Sequence, residues 1–174
     1  MKKEIRLSGS GGQGLILAGV ILAEAAIMSK LNAVQSQSYG PEARGGASKS
    51  EVILSDECIN FPKVIKSDIL VSLTQKSFDG YIENSKEGSI VIVDSSIDVR
   101  DEDRFNIYKA PILHTAKEVI KKPMTANIVT LGVISSIIDE VDKDKLKDAI
   151  LRRVPKGTEE NNILAFEEGL KLLQ

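Results

Sequence analysis

The sequence predicts an α/β domain with a largely parallel sheet, flanking helices and a helical C-terminal end. Three observations carry that reading. "RLSGSGGQGLILAG" (6–19) runs from an apolar strand through glycines into a helix. "DILVSL" (68–73) and "SIVIVD" (89–94) are short β-branched runs, the kind that suit parallel strands buried on both faces. The last third is built from segments whose apolar residues recur at helical spacing.

Ile5 and Leu7 mark the first strand. Leu15, Leu17, Val20, Ile21, Ala25 and Met28 recur at helical spacing between Leu15 and Leu31. "NAVQSQS" (32–38) reads as a second strand, which completes a Rossmann-like βαβ unit. Residues 39–47, "YGPEARGGA", combine three glycines with a proline and must be a loop. "SKSEVILS" (48–55) is a further strand, "TQKSFDGYIENS" (74–85) a short helix and "FNIYKAP" (105–111) another strand. Ala126 to Val141 is apolar around most of its helical circumference, through Ile128, Val129, Leu131, Val133, Ile134, Ile137 and Ile138, with Asn127 near its start. A helix of that kind is buried on several sides, so the reading expects it to meet partners and the isolated chain to form a homodimer or larger assembly. "DKDKLKDAILRRV" (142–154) and "TEENNILAFEEGLKLL" (158–173) are amphipathic helices, the second opened by Thr158 with Glu160 and Asn161 behind it. No repeat or linker divides the chain, so residues 1–174 read as a single domain.

Composition narrows the function. With 42% apolar and 28% charged residues the chain is a globular protein of ordinary make-up. A net charge of −2 and a pI near 5.6 argue against a surface built to neutralise nucleic-acid phosphates. No apolar run reaches the roughly 18 residues of a membrane span, and glycines interrupt the apolar stretch that follows the basic N-terminus, so a cytoplasmic protein with no membrane contact is expected. Cys58 is the only cysteine and His114 the only histidine. One thiol cannot close an intrachain disulfide or hold an iron–sulfur cluster, and one thiol with one distant imidazole makes a poor zinc site. Cys58 reads as a small buried apolar residue, and His114 as a surface or capping residue.

Gly9, Gly11 and Gly14 fit the G-x-G-x-x-G pattern between a strand and a helix. Such a turn brings backbone close to an anion and presents the free N–H groups and positive dipole end of the helix. Ser10, Gly12 and Gln13 complete the candidate turn. A dinucleotide site also wants an acid at the end of the second strand for the ribose hydroxyls. Here the strand ends Gln35, Ser36, Gln37, Ser38, and no acid is present. No Gly-Lys-Ser/Thr follows the glycines either, which removes the nucleoside-triphosphate alternative.

The loop that follows is the second candidate. Tyr39 offers an aromatic face and a hydroxyl, Gly40 and Pro41 shape a turn, and Arg44 carries a fork suited to carboxylate or phosphate. Gly45 and Gly46 permit close approach of a ligand or another chain. Glu42 lies two residues from Arg44, so the plainer alternative is a surface loop whose arginine pairs internally. Loops after strands of such a sheet lie on its carboxyl edge, which places the turn and the loop on one rim.

"GSGGQG", "SYGPEARGG", "ANIVTLG" (126–132) and "EENNILAFEEG" (159–169) together resemble the gamma subunit of 2-oxoacid:ferredoxin oxidoreductases, nearest to the 2-oxoglutarate type. The resemblance spans almost the whole chain. It implies one subunit of a complex that oxidatively decarboxylates a 2-oxoacid, reduces ferredoxin and releases an acyl-coenzyme A. It also implies that thiamine diphosphate, magnesium and iron–sulfur clusters belong to the alpha, beta and ferredoxin-like delta subunits. This chain then binds no cofactor by itself, is inactive alone, and has no catalytic residue or metal ligand of its own. Its turn and loop would form the coenzyme A side of the site or a subunit interface. The same role in a pyruvate, branched-chain or indolepyruvate enzyme, a purely structural subunit, and a free-standing dinucleotide-dependent dehydrogenase are the alternatives.

Overall fold

Strand β1 (Lys2–Ser10) lies inside a six-stranded sheet whose order is β2-β3-β1-β4-β5-β6. The computed structural model describes residues 1–38, 47–100 and 102–173. The remaining strands are β2 (Asn32–Gln37), β3 (Ala47–Ser55), β4 (Ser67–Ser72), β5 (Ser85–Asp94) and β6 (Asn106–Ala110). Strands β1, β4, β5 and β6 pair in parallel, and β3 runs antiparallel to both β1 and β2. The expected α/β class with a largely parallel sheet is therefore the observed one.

The βαβ expectation needs a correction. Strand β2 does point the same way as β1, but β3 folds back between them and hydrogen-bonds to both, from Lys2↔Ser55 to Ser10↔Ala47 on one side and Asn32↔Ser55 to Gln37↔Ser50 on the other. The alternation of β3 makes this pairing favourable. Val52 and Leu54 join the core of one sheet face, and Lys49 and Glu51 reach the polar cluster on the other.

Among the described residues six α-helices flank the sheet: α1 (Leu15–Met28), α2 (Gln75–Tyr81), α3 (Ile112–His114), α4 (Ala126–Ser135), α5 (Lys143–Arg153) and α6 (Glu159–Lys171). Alternate strand residues feed two cores. Ile5, Leu7, Ile69, Val71 and Ile92 pack with α1, α4, α5 and Phe166 of α6 on one face. Leu70, Val91 and Val93 pack with Phe78 of α2, Ile97, Val99 and Phe105 on the other. The second face also holds a buried ion pair. Arg6 donates through Nε to Glu51 at 2.9 Å, through Nη2 to the Val64 carbonyl at 2.8 Å and through Nη1 to the Asn84 carbonyl at 3.1 Å. Lys49 reaches the same Glu51 oxygen at 3.2 Å. With Arg6 at 3% exposure and Glu51 at 8%, the pair ties two connections across the sheet, and removing one partner would strand a buried charge.

Three further expectations change. The predicted helix over 126–141 stops at Ser135, where Ser136 Oγ turns back to donate to the Val133 carbonyl at 2.8 Å. All of α4, Ala126 to Ser135, is buried within the chain itself, under α1, α6 and the segment before it. The surface on which self-association was expected is thus internal. Cys58, read as buried, is exposed, because it sits in the proline-containing surface connection from β3 to β4 rather than on an element facing the core. His114 is on the surface as expected. It ends α3, a helical start at Ile112 that continues as a π-helical turn over Thr115–Val119 and that the pattern reading did not place.

Candidate functional site: the glycine turn at the switch point

Between β1 and β4 the connections of the sheet diverge. From β1 the chain runs through α1 on the larger core toward β2, and from β4 it runs through α2 on the opposite face toward β5. The carboxyl edge at such a divergence is where ligands enter α/β sheets. Two buried serines hold the strands together there. Ser8 Oγ lies 2.9 Å from Ser72 Oγ and 2.8 Å from the Val71 carbonyl, and the Leu73 N–H donates to the Ser8 carbonyl at 3.0 Å.

The glycine turn leaves β1 at this point. Gln13 closes it from within: its Oε1 accepts the Ser10 N–H at 2.8 Å. Gly12 has a φ of +88°, with open space where a side chain would stand. Gly14, at φ +72°, is the residue before helix α1, and a Cβ there would lie 2.7 Å from Asn127 Nδ2. Both conformations favour glycine, and at Gly14 the neighbour excludes a side chain as well.

No side chain caps the start of α1, and its first turn holds no acid. Helix α4 likewise has no acid in its first turn and no cap from Thr125, the residue before it. The two starts meet, because Asn127 donates from Nδ2 to the Gly14 carbonyl at 3.2 Å while its Oδ1 accepts the Ile128 N–H at 3.0 Å. The two starts therefore lie side by side, and at α1 the first-turn N–H groups of Leu15, Ile16 and Leu17 carry no side-chain cap. Asn127, 4% exposed, was visible in the sequence only as a polar residue at the edge of an apolar run. Its role as the clasp on the turn depends on a neighbour more than 100 residues away.

The structure makes Gly9 and Ser10 the last residues of β1, and Gly11, Gly12, Gln13 and Gly14 the turn from there into α1. Tyr39, Gly40, Pro41, Glu42, Arg44, Gly45 and Gly46 lie outside the described residues. The flanks of that loop are described: Gln37 pairs with Ser50, and Ala47 pairs with Ser10 at the base of the glycine turn. Both loop ends accordingly leave from the turn's own edge of the sheet. At the other end of the sheet, Cys58 and Ile59 line a surface hollow of about 460 Å³ with Ile27, Leu31 and Asn32.

Among the described residues one buried acid stands on the rim, Asp94 at the end of β5. Its oxygens accept the Ser96 N–H (3.0 Å), the Ser96 hydroxyl (2.6 Å) and the Leu113 N–H (2.8 Å), so it anchors α3. The turn itself contains no titratable side chain. What it can do is bind: an anion or a polar backbone fits it, and proton transfer must come from elsewhere. The insertion of β3 also removes β2 from the position beside the turn where a dinucleotide's ribose would be met.

Fold and turn define an α/β domain with an uncapped helix start at the switch point. The chain belongs to the pyruvate ferredoxin/flavodoxin oxidoreductase family, whose sequence profile matches residues 4–172. It is 56% identical to the KorC subunit of 2-oxoglutarate synthase from Methanocaldococcus jannaschii, over 99% of this chain and 94% of that one. Its fold superposes with a TM-score of 0.91 on the gamma subunit of a keto/oxoacid ferredoxin oxidoreductase from Geobacter sulfurreducens, at 44% identity over 99% and 97% of the two chains. A third relative differs in length. The ketoisovalerate oxidoreductase subunit VorA of Methanothermobacter marburgensis is 34% identical over 84% of this chain, yet the matched region is only 31% of that protein. The resemblance to gamma subunits thus holds along the full length.

Proposed function

We propose that this chain is the gamma subunit of a 2-oxoglutarate:ferredoxin oxidoreductase, and that its glycine-turn rim completes the coenzyme A side of the assembled site. The observation that carries the second part is the uncapped start of α1, held open at the switch point by Gly12 and Gly14. Full-length identity to a 2-oxoglutarate synthase subunit supports the first part and favours 2-oxoglutarate over the other 2-oxoacids.

Coenzyme A, when bound, supplies the thiol that leaves as the acyl thioester. The groups of this chain suited to its phosphates are the first-turn N–H groups of Leu15, Ile16 and Leu17 and the guanidinium of Arg44. Gln13 and Asn127 keep the turn in shape. Thiamine diphosphate, magnesium, iron–sulfur clusters and the contact with ferredoxin are assigned to the alpha, beta and delta subunits of a cytoplasmic complex, so the chain alone is inactive.

Co-purification from the native source tests the assignment: the other oxidoreductase subunits should accompany this chain. In the assembled enzyme, changes at the turn should raise the coenzyme A requirement while the clusters stay intact. If turn variants leave coenzyme A kinetics unchanged but release the chain on gel filtration, the rim is an interface and not a ligand site. Reduction of an artificial acceptor by the isolated chain with 2-oxoglutarate, coenzyme A and thiamine diphosphate would overturn the assignment.

A further inference from the structure

The connection from β6 to α4 presents a surface that the glycine turn does not use. After α3 the helix widens into the π-helical turn Thr115–Val119 and closes on Lys121, whose φ of 58° is left-handed. The Ile120 N–H donates to the Thr115 carbonyl and the Lys122 N–H to the Ala116 carbonyl, each at 2.9 Å, a closure usually given to glycine. Lysine stands there instead, and an exposed lysine gains nothing from that conformation locally. The Thr125 N–H and hydroxyl then both donate to the Lys122 carbonyl, and two residues later Asn127 reaches back to Gly14.

The outcome is a mixed patch beside the candidate site. Met124 is 88% exposed and Val119 53%. Lys121 and Lys122 are exposed, and neither is in an ion pair among the described residues. An exposed large apolar side chain flanked by uncompensated cations has the composition of a protein interface. Apolar contact supplies the affinity, and the cations select an acidic counterpart and steer its approach.

The longer relative says what must be held. In VorA the matching region is 31% of the chain, so a covalent connection keeps it beside the rest of that subunit. Tethering supplies a high effective concentration without any contact. The KorC subunit and the Geobacter gamma subunit are matched over 94% and 97% of their own lengths, so in them the corresponding domain lacks that tether and holds its neighbour through its own surface.

We propose that Val119, Lys121, Lys122 and Met124 are the docking surface for the subunit of the same oxidoreductase that corresponds to the remainder of that longer chain, met through an acidic patch with an apolar centre. The inference rests on the assignment of this chain as a gamma subunit.

The test uses the co-expressed complex. Lys121→Glu with Lys122→Glu, and separately Met124→Glu, should weaken retention of this chain by roughly ten- to a hundredfold, and wild-type retention should fall with added salt. Lys143→Glu, the same charge reversal on α5, should leave retention unchanged. Lys121→Gly separates docking from folding: the isolated variant should melt higher than wild type while its retention falls. Normal assembly of the Lys121, Lys122 and Met124 variants overturns the proposal, as does equal loss with Lys143→Glu. Normal assembly with a raised coenzyme A requirement also overturns it, by giving the lysines to the nucleotide instead. If the wild-type chain fails to co-purify with any oxidoreductase subunit, the gamma-subunit assignment falls together with the surface. If wild type and variants co-purify alike, only the surface falls.

Discussion

Helices α1 and α5 begin in opposite ways. At α5 the Asp142 carboxylate accepts the N–H groups of Asp144 (2.8 Å) and Lys145 (3.0 Å). Asp144 occupies its first turn, and Arg152 and Arg153 its last. Every end effect available to a helix is satisfied there by its own residues. Helix α1 has Gly14 in the capping position, no acid in its first turn and no base in its last. Its stability comes from burial instead, with Leu15, Ala18, Ile21, Leu22, Ala25 and Ala26 packed in the main core. The contrast separates two uses of one element. A helix that closes its own start contributes to stability, and a helix secured by burial can leave its start open for something else.

The largest expected effect comes from closing that open start. Gly14→Ala forces a left-handed alanine onto Asn127, at a combined cost of about 2–4 kcal/mol. Urea unfolding of the isolated chain measures it, and a loss below about 1 kcal/mol would mean that the turn adapts. Next is Arg44→Ala. A charge-assisted bond lost from an anionic ligand, about 1.5–3 kcal/mol, should raise the coenzyme A requirement of the assembled enzyme by roughly one to two factors of ten, and Arg44→Lys should recover only part. Unchanged kinetics and assembly would return Arg44 to the status of a solvated loop charge.

Asp142→Ala is the matching change on the closed helix. It should cost about 1 kcal/mol in unfolding and leave coenzyme A kinetics untouched; any kinetic effect would break the distinction between the two starts. The smallest effect is the most pointed. Gln13→Glu keeps the acceptor for the Ser10 N–H but puts a negative charge at the start of α1. Stability should rise by about 0.3–1 kcal/mol, while the coenzyme A requirement of the complex also rises. Effects of the same sign on stability and ligand affinity would show that the open start is not the ligand site.

The strand–turn–helix opening, the buried parallel strands and the two C-terminal amphipathic helices were legible because each writes its own period into the sequence. Strand β3 was legible as a strand but not as the one between β1 and β2, since local alternation does not name a partner. The same limit hid the clasp between Asn127 and Gly14. Ala126–Ile138 was read correctly as apolar on most sides, but a sequence does not say whether those sides meet another chain or, as here, α1 and α6. Cys58 misled because its type favours burial while its connection, "DECINFPK", lies on the surface. For the candidate site, the glycines and the missing acid were readable in advance. The absence of any cap on α1 became meaningful only beside the start of α4.

The place of β1 in the sheet has a consequence during synthesis. Its residues are made before those of its partners, residues 47–55 and 69–72. At about 5–20 residues per second the ribosome needs several seconds to deliver both. For that interval an apolar strand has no native neighbour on either side, and the slow, non-local closure that sheets of this kind require cannot begin. The last strand of the central trio to emerge, β4, thereby sets the earliest moment at which the glycine turn can take shape.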